Sequence, residues 1–448
     1  MIAMLEPLRG LGALAGSLAY AGLCLHCWRQ ARRRSRAPAV DQPAWTVAYA
    51  SQTGSAEALA RQTAAALVGD GGAVRCCPLN QLSAADLERG GRFLFIASTA
   101  GRGEAPDNGA LFSESVMAAA ADFSAVDFAV LALGDREYPD FCAFGRRLDA
   151  WLVAQGARRC FDRIDVDRGD PEAIARWQAH LGQLAGALEF AAGAPGDYRP
   201  WQLLERRHLN PGSAGNPVFE LLLAPPPGMA PTWDSGDLAQ VLAPTATGRP
   251  RDYSIASLPT DGLLRLLVRV HRRPGGEPGA VSGWLTQQLA PGDALPLRIR
   301  PHRPFQLAEN RRRPLICIGN GVGLAGLRGH LAARIEAGVH ENWLIFGERN
   351  RGSDFHYGEE LQRWAANGCL QRLDTVFSRE GGTLRYVQEA LAANGALFRA
   401  WVAGGAAVYV CGSRSGMGEG VDQAIRELLG GDDYRRLLSD GRYCRDVF

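Results

Sequence analysis

The chain has no lysine: its 49 basic residues, in 448, are arginine. An ATPase-type phosphate loop needs a lysine after its last glycine to reach the outer phosphates, so that chemistry is excluded. An excess of one charge is also missing. The formal charge is +2, which gives no electrostatic footprint for nucleic acid. Ten cysteines are present, at Cys24, Cys27, Cys76, Cys77, Cys142, Cys160, Cys317, Cys369, Cys411 and Cys444, but no spacing repeats. That excludes a disulfide framework or zinc ribbon and fits a reducing compartment. Cys24 and Cys27 have CxxC spacing inside an apolar run and read as packing. The eight histidines show no ligand spacing, so no metal is expected. Internal repeats and low-complexity tracts are absent as well.

With 46% hydrophobic and 21% charged residues the chain is globular, and its length demands two or three domains. The N-terminus differs. Gly10 to Trp28 is uncharged but for one histidine, close to the roughly 20 residues that cross a bilayer. Arg29, Arg32, Arg33, Arg34 and Arg36 follow it. Charge after the apolar run, not before it, argues against a secretory signal. By the positive-inside rule it predicts a single-pass anchor at the inner or plasma membrane, with the remainder cytoplasmic. The expected order is a transmembrane anchor over 1–28 and a basic linker over 29–43. Domains are then expected over 44–190, 201–309 and 310–448, with a hinge over 191–200.

From Trp45 the text alternates between strand and helix. Trp45–Ala50, Phe93–Ala97 and Phe128–Leu133 are apolar throughout, and each ends in a polar or glycine-rich loop before a helical stretch. This is the pattern of a doubly wound parallel sheet, whose ligand lies at the carboxyl ends of the strands. From Trp201 short alternating segments broken by Pro and Gly predict a small antiparallel barrel. From Arg313 strand–helix alternation returns and runs to the C-terminus.

Three loops follow the first three strands. Ser51-Gln52-Thr53-Gly54-Ser55 places hydroxyls beside a glycine where a strand turns into a helix, which favours an anion. A hydroxyl-rich loop without lysine or metal suits the terminal phosphate of a mononucleotide such as FMN. Ser98, Thr99, Gly101 and Gly103 lie in the second loop. Leu133, Gly134, Asp135, Tyr138, Phe141 and Cys142 belong to the third, with Tyr138 as the stacking ring. Far downstream stands a second kind of phosphate loop, Gly319-Asn320-Gly321-Val322-Gly323, and between the two lies Arg251-Asp252-Tyr253-Ser254. Three nucleotide-type sites point to an electron relay.

In this order the motifs resemble the diflavin reductases, a family that includes NADPH–haemoprotein reductases and the sulfite reductase flavoprotein subunit. The resemblance covers residues 44–448. It implies an α/β multidomain chain: a flavodoxin-like FMN domain, an antiparallel FAD-binding barrel and a Rossmann-like NADPH-binding domain. It also implies that Tyr253 packs on the FAD ring, Arg251 meets its pyrophosphate, and the loop containing Gly279, Val281 and Ser282 closes over that pyrophosphate. Gly319, Gly321 and Gly323 would approach NADPH. Ser378, Arg379, Tyr386 and Gln388 would grip its 2′-phosphate. Asp422 is a further implied cofactor contact. Ser254, Cys411 and Asp446 would assist hydride transfer, and Phe448 would shield the FAD ring.

The sequence also departs from that family. Ala100 replaces an expected tyrosine, and Asn320, Val322 and Gly326 replace Pro, Thr and Pro in the glycine loop. Asp237 and Arg251 are close in sequence where relatives insert a helical connecting domain. The implied activity is transfer of electrons from NADPH through FAD and FMN to a one-electron acceptor, a haem or sirohaem protein. A membrane-anchored ferric-chelate (siderophore) reductase is one alternative, and an impaired flavin-binding scaffold is another.

Two dissimilar flavin motif sets lead to a simple expectation. The purified protein should be yellow and release FMN and FAD in equal amounts on denaturation. A single flavin type, with reconstitution failing for the other, would refute the relay.

Overall fold

Three sheets follow one another along the chain in the computed structural model, which describes residues 43–68, 73–185, 198–244, 250–273 and 275–448. The first sheet is parallel. Its strands are β1 (Trp45–Ala50), β2 (Val74–Pro78), β3 (Gly91–Ser98), β4 (Val126–Gly134), β5 (Arg158–Arg159) and β6 (Ile164–Asp167). They are ordered β2-β1-β3-β4-β5, with β6 also paired to β4. β1 is buried at every position because both its faces are covered, as parallel sheets require. Val47 and Tyr49 pack with α1 (Ser55–Val68) and α3 (Pro171–Ala185) through Ala56, Ala60 and Trp177. Ala48 and Ala50 face the opposite cluster, where α2 (Ala143–Ala154) contributes Phe144, Leu148 and Leu152. The chain steps from β1 out to β2 and returns on the other side at β3. This places a topological switch point at the carboxyl ends of β1 and β3.

The second sheet is antiparallel. It comprises β7 (Arg199–His208), β8 (Val218–Ala224), β9 (Leu238–Val241), β10 (Arg251–Ser254), β11 (Leu264–Arg269) and β12 (Ala294–Arg300), in the order β10-β9-β12-β7-β8-β11. A bridge between Ile255 and Leu266 joins the two edges, so the sheet curls closed around Trp201, Leu221, Val241 and Leu266. Strand β7 begins two positions before the barrel boundary drawn from the sequence. β9 and β10 are direct antiparallel neighbours, with Val241 opposite Arg251 and Leu238 opposite Ser254. A hairpin therefore stands where a connecting domain would be inserted.

The third sheet is again parallel: β13 (Leu315–Asn320), β14 (Asn342–Glu348), β15 (Arg372–Phe377), β16 (Ala407–Gly412) and β17 (Tyr443–Val447), ordered β15-β14-β13-β16-β17. Its switch point lies between β13 and β16. The glycine loop after β13 leads into α4 (Leu324–Glu336). The sheet presses tightly on this loop. A Cβ on Gly319 or Gly323 would sit 2.5 Å or 2.2 Å from the Cys411 carbonyl oxygen. These glycines are therefore required by the approach of β16, whatever ligand the loop also binds.

The expected single-pass membrane localisation needs correction. Among the described residues no helix is long and apolar enough to cross a membrane. The anchor segment 1–28 and the linker up to residue 42 lie outside the described residues. The run from Gly10 to Trp28 holds eight Gly and Ala residues among its 19. Such small residues offer little apolar area, and the hydrophobic drive scales with that area. Nothing among the described residues supports membrane anchoring, or the ferric-chelate alternative that leaned on it. The hinge residues 191–197 also lie outside the described residues.

Gly323→Ala tests the packing of the loop. The added methyl meets a backbone carbonyl that cannot swing aside, and overpacking of this kind costs about 1–3 kcal/mol. The thermal midpoint should fall by several degrees; an unchanged midpoint would show that β16 and the loop can separate without cost.

Candidate functional site

The three loops of the first sheet meet at its switch point. After β1, the Ser51 N–H donates to Asn108 Oδ1 (2.7 Å), Gly54 takes φ +83°, and Ser55 opens α1. The Ser51 hydroxyl is buried with no hydrogen-bond partner. Buried polar atoms rarely stay unpaired, so this orphan fits an anion such as a phosphate. Gln52 is less free than expected. Its amide nitrogen donates to Asp107 Oδ2 (3.1 Å), and its oxygen accepts from the Asp107 N–H (3.2 Å). It therefore staples the loop instead of facing a ligand.

In the second loop Ala100 and Glu104 form a bridge, with Gly101 and Gly103 at positive φ between them. The Thr99 N–H donates to the Leu133 carbonyl (3.0 Å), tying this loop to the third. There Asp135 Oδ1 accepts from the Glu137 N–H (2.8 Å), and Tyr138 is 63% exposed, its ring open to stacking. Phe141 lies against the guanidiniums of Arg136 and Arg146. Cys142 requires correction as a cofactor contact. It is fully buried in the core, its thiol donates to the Ala132 carbonyl (3.2 Å), and burial pushes its pKa up to about 12. Its role is to hold the turn, which is tight enough that a Cβ on Gly134 would lie 2.7 Å from the Cys142 nitrogen.

A cavity of about 850 Å³ opens between the barrel and the third sheet. Arg251, Tyr253 and Ser254 of β10, Gly279, Val281 and Ser282 of the following loop, Asn320 and Val322 of the glycine loop, and Asp446 and Phe448 of the tail all line it. Ser282 Oγ accepts from the His271 N–H (3.1 Å), fixing the loop. Among the described residues the Arg251 guanidinium donates to the Pro250 carbonyl (3.2 Å), and Arg251 lines the cavity. At the cavity wall three elements converge on one atom. The Ser254 hydroxyl donates to Asp446 Oδ2 at 2.8 Å, and the Cys411 thiol points at the same oxygen from 3.7 Å. All three residues are buried. Burial and then the Asp446 charge push the Cys411 pKa well up, so the group is a neutral thiol. Phe448, 60% exposed, stands at the rim, anchored by its N–H to the Gly412 carbonyl (3.0 Å).

The set expected at the 2′-phosphate gathers at the end of β15. The Ser378 carbonyl accepts from Arg385, whose guanidinium lies over the Tyr386 ring, and the Arg379 side chain is exposed. Gln388 has a buried, unpartnered amide oxygen. Asp422 does not belong to this set. It accepts from Tyr434 (2.9 Å), Tyr443 (3.1 Å) and Arg426 (2.9 Å) and pairs with Arg445 (3.4 Å). Burial raises its pKa, but these partners outweigh burial and the net shift is downward. Asp422 is a structural hub, its carboxylate shared by four side chains.

Sequence reading also missed the residues that join the first domain to the rest. Arg445 grips Asp107 with two nitrogens, one at 2.9 Å. Arg300 donates to the Thr53 carbonyl of the phosphate loop, and His302 Nε2 lies 3.2 Å from the Gln52 carbonyl. Arg426 reaches Glu114 at 3.3 Å. Thr53 and Glu137 thereby become part of the cavity lining. One signal for Arg445 was present: strand alternation turns it away from Asp446 toward the opposite face.

Residues 47–177 match the Flavodoxin family. Over 547 aligned residues the chain is 26% identical to the sulfite reductase (NADPH) flavoprotein alpha-component of Bacillus subtilis, covering 92% of this chain and 90% of that protein. The protein of the same name from Vibrio vulnificus is 25% identical over 90% of this chain and 87% of its own length. For the one from Neisseria meningitidis the figures are 25%, 92% and 90%. The chain is thus similar to these flavoprotein subunits along about nine-tenths of its length. The alignments are longer than the chain itself, so relatives carry stretches that it lacks, in keeping with the β9–β10 hairpin. Among the described residues the flavodoxin domain meets the rest of the chain through the contacts given above.

Arg445→Ala tests that docking. Removing it leaves Asp107 with Gln52 alone, and a hydrogen bond to a charged group is worth about 1.5–3 kcal/mol. The radius of gyration in solution should rise, and the charge-swapped pair Arg445→Asp with Asp107→Arg should recover part of the compaction. A radius that does not change would mean that other contacts hold the domain.

Proposed function

We propose that the chain is an NADPH-dependent flavoprotein oxidoreductase that binds FAD and FMN and delivers electrons to a haem or sirohaem protein. The observation that carries this reading is the meeting of Ser254, Cys411 and Asp446 on a cavity wall whose lining extends to Thr53 and Glu137 of the flavodoxin domain. The sulfite reductase (NADPH) flavoprotein relatives support NADPH as the donor.

When bound, the cofactors supply a hydride donor, a two-electron acceptor and a one-electron outlet; the protein supplies position, electrostatics and exclusion of water. Asp446 orients the Ser254 hydroxyl and holds its proton at the cavity wall. Cys411, kept as a thiol, backs the same Asp446 oxygen from behind the wall. Tyr253 supplies a ring wall for FAD, Arg251 a charge for its pyrophosphate, and Phe448 a removable cover. Ser51, Thr53 and Ser55 offer hydroxyls to the FMN phosphate, and Tyr138 offers a ring to the flavin. The second loop has no ring at Ala100, so one face of the FMN depends on other groups. Arg379 supplies the charge that separates NADPH from NADH, since charge-assisted hydrogen bonds to a 2′-phosphate have no counterpart in NADH.

Anaerobic mixing with NADPH, followed by flavin absorbance, tests the reading. Wild type should bleach and then reduce cytochrome c or a sirohaem protein. Asp446→Asn removes the charge that orients Ser254. It should slow bleaching tenfold or more, about 1.4 kcal/mol of barrier, with flavin content unchanged. Failure of wild type to bleach would refute the function, and equal rates would remove Asp446 from the hydride site.

A further inference from the structure

Gly321 adopts φ +59°, and the space beside it is occupied by an ion pair from two domains. A Cβ there would lie 2.8 Å from Arg269 Nη2 and 3.2 Å from Glu348 Oε1. Arg269 ends β11 of the barrel, and Glu348 ends β14 of the third sheet. Their side chains pair directly across the glycine loop. The pair is lopsided. The Glu348 side chain is 5% exposed, whereas that of Arg269 is 36% exposed and lines the large cavity beside Asn320 and Val322. The Arg269 Nε is buried with no partner. Burial pushes the Glu348 pKa upward, and Arg269 offsets this only in part.

A planar, permanently charged fork at a glycine loop, with donor capacity unused, suits a pyrophosphate. The same loop, Gly319-Asn320-Gly321-Val322-Gly323, offers no hydroxyl, with Val322 where the family resemblance implies a threonine. We propose that Arg269 grips the pyrophosphate of the nicotinamide dinucleotide in place of that hydroxyl, and that Glu348 holds the guanidinium at the loop until the nucleotide arrives. The proposal rests on the NADPH reading above. It divides recognition between two arginines: Arg379 reads the 2′-phosphate at one end of the dinucleotide, and Arg269 reads the bridge between its halves.

Equilibrium binding to the oxidised holoprotein separates these roles. Arg269→Ala should weaken NADP⁺ and NAD⁺ by the same factor, on the order of tenfold. Adenosine 2′-monophosphate, which carries neither phosphate of the bridge, should change less than about threefold. Arg379→Ala should give the reverse pattern. Glu348→Gln removes the competing charge and should tighten NADP⁺, an outcome that a merely structural pair cannot produce. FAD content reports both on folding and on whether the FAD pyrophosphate is the true ligand. It should stay at wild-type level in Arg269→Ala, and selective loss of FAD would overturn the assignment to the nicotinamide nucleotide. Should the alanine variant fold poorly, Arg269→Gln keeps most of the stem and should show the same loss. NADP⁺ affinity unchanged in the Arg269 variants, or weakened equally in Glu348→Gln, overturns the proposal. A wild type without affinity for NADP⁺ overturns the functional reading and this proposal with it.

Discussion

The tail strand is the constraint on which both halves of the site depend. Successive residues of a strand point to opposite faces, and β17 uses each face differently. Arg445 turns outward to Asp107 of the flavodoxin domain. Asp446, the next residue, turns inward to Ser254 of the barrel. β17 is itself the edge of the third sheet, with Cys411 of β16 opposite Asp446. Five residues of backbone thus set the relation between three domains. A one-residue slip of this strand would exchange the two faces and dismantle both contacts.

The charges at the docked face are sorted by sign. Arg300, Arg303, Arg426 and Arg445 project from the C-terminal half, and Glu57, Asp107 and Glu114 from the flavodoxin domain, with Thr53 offering a carbonyl. Exposed pairs such as Arg426 with Glu114 are worth little, about 0–1 kcal/mol each. Arg445 with Asp107 is more enclosed and is also tied to Gln52 and Asp422. A face made of polar contacts around one enclosed pair can hold a domain and still release it, whereas a large apolar interface would fix it. The compact chain has no connecting domain to enforce the arrangement, so this face does that work.

The Asp446 carboxylate illustrates how buried charge is tolerated here. Taking a carboxylate out of water is costly unless it is hydrogen-bonded. The Ser254 hydroxyl and the Cys411 thiol both address a single oxygen. Asp422 solves the same problem with two tyrosines and two arginines, but it does so away from the cavity. The two acids therefore serve different ends, and only Asp446 lines the cavity.

The sequence alone determined much of this protein. Strands apolar on both faces identified two parallel sheets, and Pro- and Gly-broken alternation identified an antiparallel one, because burial imposes those patterns directly on composition. The glycine loop, the hydroxyl-rich loop and the ordered series of motifs led to the diflavin reductases before any contact was known. The moderately apolar N-terminal run lies outside the described residues, and length without apolar area is a weak signal for a membrane segment. Cys142 and Asp422 were read as cofactor contacts because sequence order cannot show which way a side chain faces. What only the tertiary structure decided is the company each charged residue keeps. Arg445 meets Asp107, Arg300 meets Thr53 and Arg269 meets Glu348 across long sequence separations. Charge pairing depends on distance in space and on burial, and neither is written in the local spacing of residues.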